Sequence, residues 1–298
     1  MIAQVPPPLA ATPGPPPTPV PFVTEAPPTS ERGLIGAGLD RAAAKAKVLG
    51  GTLGAVVIDV NSGIMLDRNG DRSFPMASVQ KFLIALVVYG AADEGMLSLD
   101  RTITVRQSDV VTNVSPIADD FAKRQNYTVK ELISAMLLDS DNTAAKTLMR
   151  TIGGVDVLNA AMRNLGYDSI VIGANDDGVA TPRALAGAFG DLVAGHVLNV
   201  ASRDALSKTL GEVQTFPERL RAGFPPGTRL LHKTGTLQQD GVVTEENDAG
   251  IAYINDRTII VVAMLDGAKG TSAQLDEVLA EVARAATAAA ATLNPSIR

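Results

Sequence analysis

The sequence contains no cysteine and only two histidines, His196 and His232, in 298 residues. The first absence excludes disulfides, thiolate metal sites and a cysteine nucleophile. Neither histidine lies in a G-x-S-x-G or H-E-x-x-H setting, so a Ser-His-Asp hydrolase and a zincin both lack support. No apolar run approaches the ~18 residues of a membrane helix, and the start MIAQVPPPLAATPG lacks a basic segment followed by an apolar one. Ala3-Gln4 close behind Met1 also suits a chain whose initiator Met stands where a signal peptide was removed, so export stays open. Stretches rich in Lys and Arg are missing too. With a formal charge of -6 and a pI near 5.0, the chain offers no counterion release to a phosphate backbone, which argues against nucleic acid as a partner.

What is present is an ordinary globular composition, 46% hydrophobic and 19% charged, enough for one large domain or two lobes. Residues 1 to about 30 are Pro-rich without apolar periodicity, which predicts an extended or disordered arm, read as a tether. The folded body, 31–298, opens with a helix over about Gly33 to Val48. The strand TLGAVVIDV, a turn at Asn61-Ser62-Gly63 and an antiparallel partner IMLDRNG come next. From Ser78 to about Val200 the pattern is helical. SVQKFLIALVVYGAADEG is apolar around most of its circumference, as a buried central helix would be. Thr128 and Glu131 form a capping box for a helix ending near Asp139, and Thr181-Pro182 opens another. Strands return in RLLHKTGT, NDAGIAYIND and RTIIVVAMLDG, before a closing helix of about Ser272 to Thr292. This order predicts an α/β (α+β) fold: an antiparallel sheet from both chain ends, flanked by helices, plus an all-α lobe. The expected lobes are 31–77 with 201–298, and 78–200.

Without a histidine base, a serine nucleophile needs another amine. Ser78 and Lys81 are three residues apart, so on a helix they share one face. Burial disfavours a charged lysine and would let Lys81 accept the Ser78 proton. A helix start adds backbone N–H groups and a positive field for an oxyanion. Alone, S-x-x-K is common, and a capping Ser with a surface Lys is its usual explanation. Ser140-Asp141-Asn142 lies in a break between helices, where Asp141 or Asn142 could simply be an N-cap; functionally, the break would aim the Ser140 hydroxyl and the Asn142 amide into a cleft. Lys233-Thr234-Gly235-Thr236 sits on a strand, where an inward lysine is costly without an anionic partner. Gly235 permits the close backbone approach of a substrate laid along an edge strand.

S-x-x-K, S-D-N and K-T-G in this order resemble the class A β-lactamases and penicillin-binding proteins. The resemblance runs from about Gly33 to the C-terminus, including FPMASVQK, LLDSDNTAAKTLM and ERLRAGFPPGTRLLHKTGT. It implies that Ser78 is acylated, that Lys81 activates it and that Ser140 passes the proton to the leaving nitrogen. The Ser78 and Thr236 N–H groups would form the oxyanion hole, Asn142 would bind the acyl side chain, and Lys233, Thr234, Gly235 and Thr236 would engage a substrate carboxylate. Arg219 matches an arginine that supports this carboxylate site in some relatives, although in ERLR it also reads as a surface residue. The implied partner is a small molecule, a β-lactam or a D-Ala-D-Ala peptide, met by a periplasmic or secreted enzyme. No metal or organic cofactor is expected, and a monomer is favoured.

The sequence departs from class A at the Ω-loop, where an E-x-x-L-N motif supplies the glutamate that activates the deacylating water. The interval GYDSIVIGANDDGVA is shorter and has no Glu. Asp176 and Asp177 are candidate substitute bases, with a turn role as the alternative. The shortening resembles penicillin-binding proteins, which gives a second reading: a D-Ala-D-Ala carboxypeptidase or transpeptidase trapped by β-lactams. A peptidoglycan binder without catalysis would need none of the hydroxyl and amine groups. Val114, in place of a cleft-edge aromatic, predicts an open rim. His232, turned away from Lys233 by strand alternation, reads as structural.

Overall fold

Helix α1 (Glu31–Val48) starts where Ser30 Oγ accepts from Gly33 N at 3.1 Å, ahead of the expected Gly33. The computed structural model describes residues 30–173 and 178–291; the Pro-rich arm, Asp176 and Asp177 lie outside the described residues. After α1 come β1 (Thr52–Asp59), β2 (Ile64–Arg68) and the short β3 (Phe74–Pro75), then α2 (Gln80–Asp93) and β4 (Thr102–Thr104). The helical run continues through α3 (Pro116–Asp119), β5 (Asn126–Thr128), α4 (Val129–Leu138), α5 (Asn142–Thr151) and α6 (Val155–Asn164). Next are β6 (Val179–Ala180), α7 (Pro182–Ala194), α8 (Val200–Gly211) and α9 (Leu220–Gly223). The chain closes with β7 (Arg229–Gln239), β8 (Val242–Ile254), β9 (Arg257–Asp266) and α10 (Ser272–Ala291).

Both chain ends build one antiparallel sheet in the order β2-β1-β9-β8-β7, as the strand order predicts. Asn255 and Asp256 take left-handed backbone angles, φ 47° and 62°, in the tight turn between β8 and β9, the geometry that matches strand twist. Apolar residues alternate between two layers. Ala55, Val57, Val261 and Ala263 face α1 and α10, packing with Leu39, Leu279 and Val282. Val56, Ile260, Val262 and Met264 face the helical layer. With both faces covered, β1 and β9 are apolar almost continuously.

Helix α2 is buried from Gln80 through Ala91, and Phe82 stacks on Phe189 of α7 with centroids 3.9 Å apart. Leu206 and Leu210 of α8 join the same core, so the helical layer continues past residue 200. The capping box at α4 is formed: Thr128 Oγ1 accepts from Glu131 N at 3.1 Å and Glu131 Oε2 from Thr128 N at 2.7 Å. Among the described residues, no helix is long and apolar enough to cross a membrane.

The edge strand β7 is held to β8 at a glycine. A Cβ on Gly250 would run into the Leu231 carbonyl oxygen and come within 2.7 Å of His232 Cα. Gly250→Ala is therefore expected to destabilise the protein by roughly 1–3 kcal/mol, read as a lower urea midpoint. An unchanged midpoint would show that β7 yields freely.

Candidate active site

Ser78 enters the cleft on a single 3-10 turn, Ala77–Val79, that leads into α2. Ala77 has φ 49°, a left-handed conformation that costs an alanine about 1–3 kcal/mol and persists only where its surroundings enforce it. Those surroundings are visible. Met76 N donates to Gly178 O at 2.8 Å, and Asn247 Nδ2 from β8 donates to Pro75 O at 2.9 Å. On the other side lies Gly235, where a Cβ would stand 2.7 Å from Met76 O and 3.0 Å from both Ser78 N and Val79 N. Glycine is needed there because strand and serine turn touch backbone to backbone.

One turn into α2, Lys81 is fully buried. Its Nζ donates to Ser78 Oγ at 3.0 Å, Ser140 O at 2.6 Å, Ser140 Oγ at 3.3 Å and Asn142 Oδ1. Ser140 reaches this position through a left-handed backbone, φ 57°, in the break between α4 and α5. Asp141 is the N-cap: its carboxylate accepts from Ala144 N at 2.7 Å, Ser115 Oγ at 2.9 Å and Ile117 N at 2.8 Å. Capping by Asp141 leaves Asn142 free to face Lys81, while Asn142 Nδ2 donates to Asn113 O at 2.8 Å. Val114 is 54% exposed at this edge, in agreement with an open rim.

Strand alternation sorts β7. Lys233 and Gly235 point toward Ser78, while His232 meets Asp248, Thr234 Oγ1 meets Thr215 Oγ1 and Thr236 Oγ1 meets the Arg219 guanidinium. Lys233 Nζ donates to Ser140 Oγ at 3.2 Å and to Thr234 O at 2.9 Å, which places Ser140 Oγ between two lysine amines. Among the described residues, no carboxylate lies within ion-pair distance of Lys233. Complete burial and the charge of Lys81 hold the Lys233 ammonium far below an ordinary lysine, at about 7. Behind the strand, His232 Nδ1 and Asp248 Oδ1 are 2.8 Å apart and both fully buried, a structural pair away from the cleft.

Arg219 is 1% exposed, so the surface alternative for ERLR is overturned. Its guanidinium donates to Thr236 Oγ1 at 2.8 Å, Gly235 O at 2.9 Å, Asn247 O at 3.2 Å and Asp276 Oδ1 at 3.0 Å. Phe216, itself at φ 51°, covers it with the ring centroid 4.0 Å away. Thr215 Oγ1 lies 2.7 Å from Thr234 Oγ1. Thr215, Phe216, Asn247 and Asp276 escaped the sequence reading because no local motif marks them. Among the described residues, no three carboxylate or imidazole side chains cluster as a metal site would need.

Ser78, Lys81, Ser140, Asn142 and Lys233 thus converge, with Thr234, Gly235, Thr236 and Arg219 along and behind the adjoining edge strand. This arrangement can move a proton from one hydroxyl to another through a buried amine, next to a cation that awaits an anion.

The sequence model of the Beta-lactamase enzyme family matches residues 39–290. Among curated relatives, the chain is 32% identical to a β-lactamase of Streptomyces albus G, over 86% of this chain and 83% of that protein. It is 30% identical to β-lactamase L2 of Stenotrophomonas maltophilia, over 82% and 83%. Among solved structures, it is similar to a β-lactamase from Chitinophaga pinensis, with TM-score 0.81 and 28% identity over 85% of this chain and 99% of that one. A class A β-lactamase described as the last common ancestor of Gram-negative bacteria gives TM-score 0.78 and 34% identity over 85% and 99%. With sequence, fold and the order of the cleft residues in agreement, the chain belongs to the β-lactamase enzyme family and has a class A-like fold.

Proposed function

We propose that the protein is a serine acyl-enzyme hydrolase that opens β-lactam rings through Ser78. Ser78 Oγ attacks the lactam carbonyl carbon and gives its proton to Lys81; the oxyanion is received by the N–H groups of Ser78 and Thr236. The C–N bond breaks as Ser140 protonates the ring nitrogen and is reprotonated from the lysine side. Lys233, Thr234 and Thr236, backed by Arg219, hold the substrate carboxylate, and Asn142 holds the acyl side chain. Water then cleaves the ester. The observation that carries this reading is Lys81 Nζ, 3.0 Å from Ser78 Oγ and 3.3 Å from Ser140 Oγ. Asp176 or Asp177 is the proposed activator of the water. The substrate places the enzyme outside the cytoplasm, periplasmic or secreted and acting as a monomer, with residues 1–30 as its tether and two lobes enclosing the cleft.

The missing glutamate between Gly166 and Thr181 favours a second reading, a D-Ala-D-Ala peptidase that β-lactams trap. Intact mass during incubation with a reporter penicillin separates the two. An adduct on Ser78 that vanishes within seconds to minutes supports the hydrolase, and one that lasts for hours supports the peptidase. Ser78→Ala should form none, and absence of any adduct on the wild-type chain sinks both readings.

If Asp176 or Asp177 is the base, its change to Asn should prolong the adduct about a hundredfold without slowing its formation, since general-base assistance is worth about that much or more. Deacylation at the wild-type rate in both variants would remove the proposal.

Lys233 sets an alkaline limit. Its folded pKa is depressed to about 7, so the charge that receives a substrate carboxylate is present below that pH and lost above it. Acylation efficiency should fall above about pH 7, by up to about tenfold per unit, for a penicillin with a free carboxylate. Its methyl ester should show a flatter limb, and parallel profiles would assign the titration to another group.

A further inference from the structure

Glu246 lies on β8 directly across from Thr236 in the β7·β8 register and is 2% exposed. It is on the sheet face covered by α9 and α10, where two charged groups meet it. Arg219 Nη2 is 3.5 Å from Glu246 Oε1, and Arg219 Nε donates to Asp276 Oδ1 of α10 at 3.0 Å. Asp276 and Glu246 thus lie against the same guanidinium. Charge balance requires a proton on one of them. One guanidinium faces two carboxyls where water is excluded, and the second negative charge would be uncompensated. Burial, and then Asp276, push the Glu246 carboxyl well above the usual carboxylate range against the opposing pull of Arg219. Glu246 Oε2 is buried and receives no donor among the described residues, which an ionised carboxylate would tolerate poorly.

The consequence reaches the cleft through Arg219. The same Nη2 that stands 3.5 Å from Glu246 donates to Thr236 Oγ1 at 2.8 Å, and Nη1 donates to Gly235 O at 2.9 Å. An ionised Glu246 would compete for Nη2 and cancel part of the positive potential behind the edge strand. A neutral one leaves Arg219 committed to Thr236.

We propose that Glu246 is a positioning residue: it shares one proton with Asp276 and thereby keeps Arg219 on Thr236 for a substrate that carries a carboxylate. The inference rests on the acyl-transfer reading for its substrate and on the buried pair alone for its proton. The groups facing Glu246 are Arg219 ahead of α9, Asp276 on α10, Asp248 along the same face of β8, and the uncharged Thr236 and Leu265 in register on β7 and β9. Lys233 lies on the opposite face and titrates alongside, so the test compares variants in which Lys233 is intact.

The first measurement is the infrared difference spectrum of wild type against Glu246→Gln at neutral pH. A C=O stretch of a protonated carboxyl should be lost in the variant; if wild type has no such band to lose, the inference is overturned. Asp276→Asn provides an independent variant. With a single carboxyl left beside Arg219, Glu246 should ionise and the band should disappear, whereas its persistence would contradict the shared proton. The second measurement is KM and kcat against pH for a penicillin and its methyl ester. In wild type, KM for the free carboxylate should climb on the alkaline side more steeply than in Glu246→Gln, by at least about threefold, with kcat moving less and the ester insensitive. Superimposable KM profiles would overturn the positioning role. If wild-type protein forms no acyl-enzyme, the acyl-transfer reading and the substrate half of the inference fall together, and the infrared result still decides the proton.

Discussion

Lys81 brings its Nζ to three residues from two separate segments: Ser78 on the turn before its own helix, and Ser140 and Asn142 in the break between α4 and α5. A lysine amine without water must find polar partners, and those within reach of its Nζ lie along the route a proton would take. Because α2 is enclosed along most of its length, the amine has little room to turn toward solvent. The packing of that one helix therefore determines the chemistry available to the serine.

Two strained residues complete the geometry. Ala77 and Ser140 both hold left-handed backbone angles, and each immediately adjoins a group that must face the cleft. Neither conformation is locally favourable. Ala77 is fixed by contacts on both sides, Gly178 at Met76 and Gly235 at the Ser78 turn. Ser140 is fixed by the helix cap that follows it: Asp141 is committed to Ala144, Ser115 and Ile117, so Ser140 has to turn inward. The Asp141 of S-D-N thus acts through the backbone, which lets its neighbours act through their side chains.

These differences explain which parts of the site were legible in the sequence. Ser78 and Lys81, the S-D-N break and K-T-G are local in sequence, and a buried helix, a helix gap and a strand each leave a readable pattern. The sheet was legible for a similar reason, since alternation and turn residues are written within a few positions. Arg219 was not. ERLR has the composition of a surface helix, and its burial depends on Asp276, some 57 residues later, and on carbonyls of two strands. His232 was placed correctly by alternation, while its partner Asp248 could only come from strand register. The positive φ values at Ala77 and Ser140 have no glycine or asparagine to announce them.

Charge in the finished site is layered. Lys81 and Lys233 flank Ser140 at the front of the edge strand, Arg219 lies behind it, and Glu246, Asp276 and Asp248 lie deeper still. Burial in the cleft, and then the charge of Lys81, make Lys233 easily neutralised. On the acyl-transfer reading, an incoming carboxylate offsets the repulsion between the two lysines, so that binding the anion helps to charge the lysine that binds it. The same logic does not extend to deacylation. Releasing the ester requires a base beside a water molecule, and on the acyl-transfer reading the base of the front layer, Lys81, is already committed to Ser78 and Ser140. The proposed activator of the water therefore falls in the sequence between Gly166 and Thr181, where this chain differs from the class A pattern that the rest of its cleft follows.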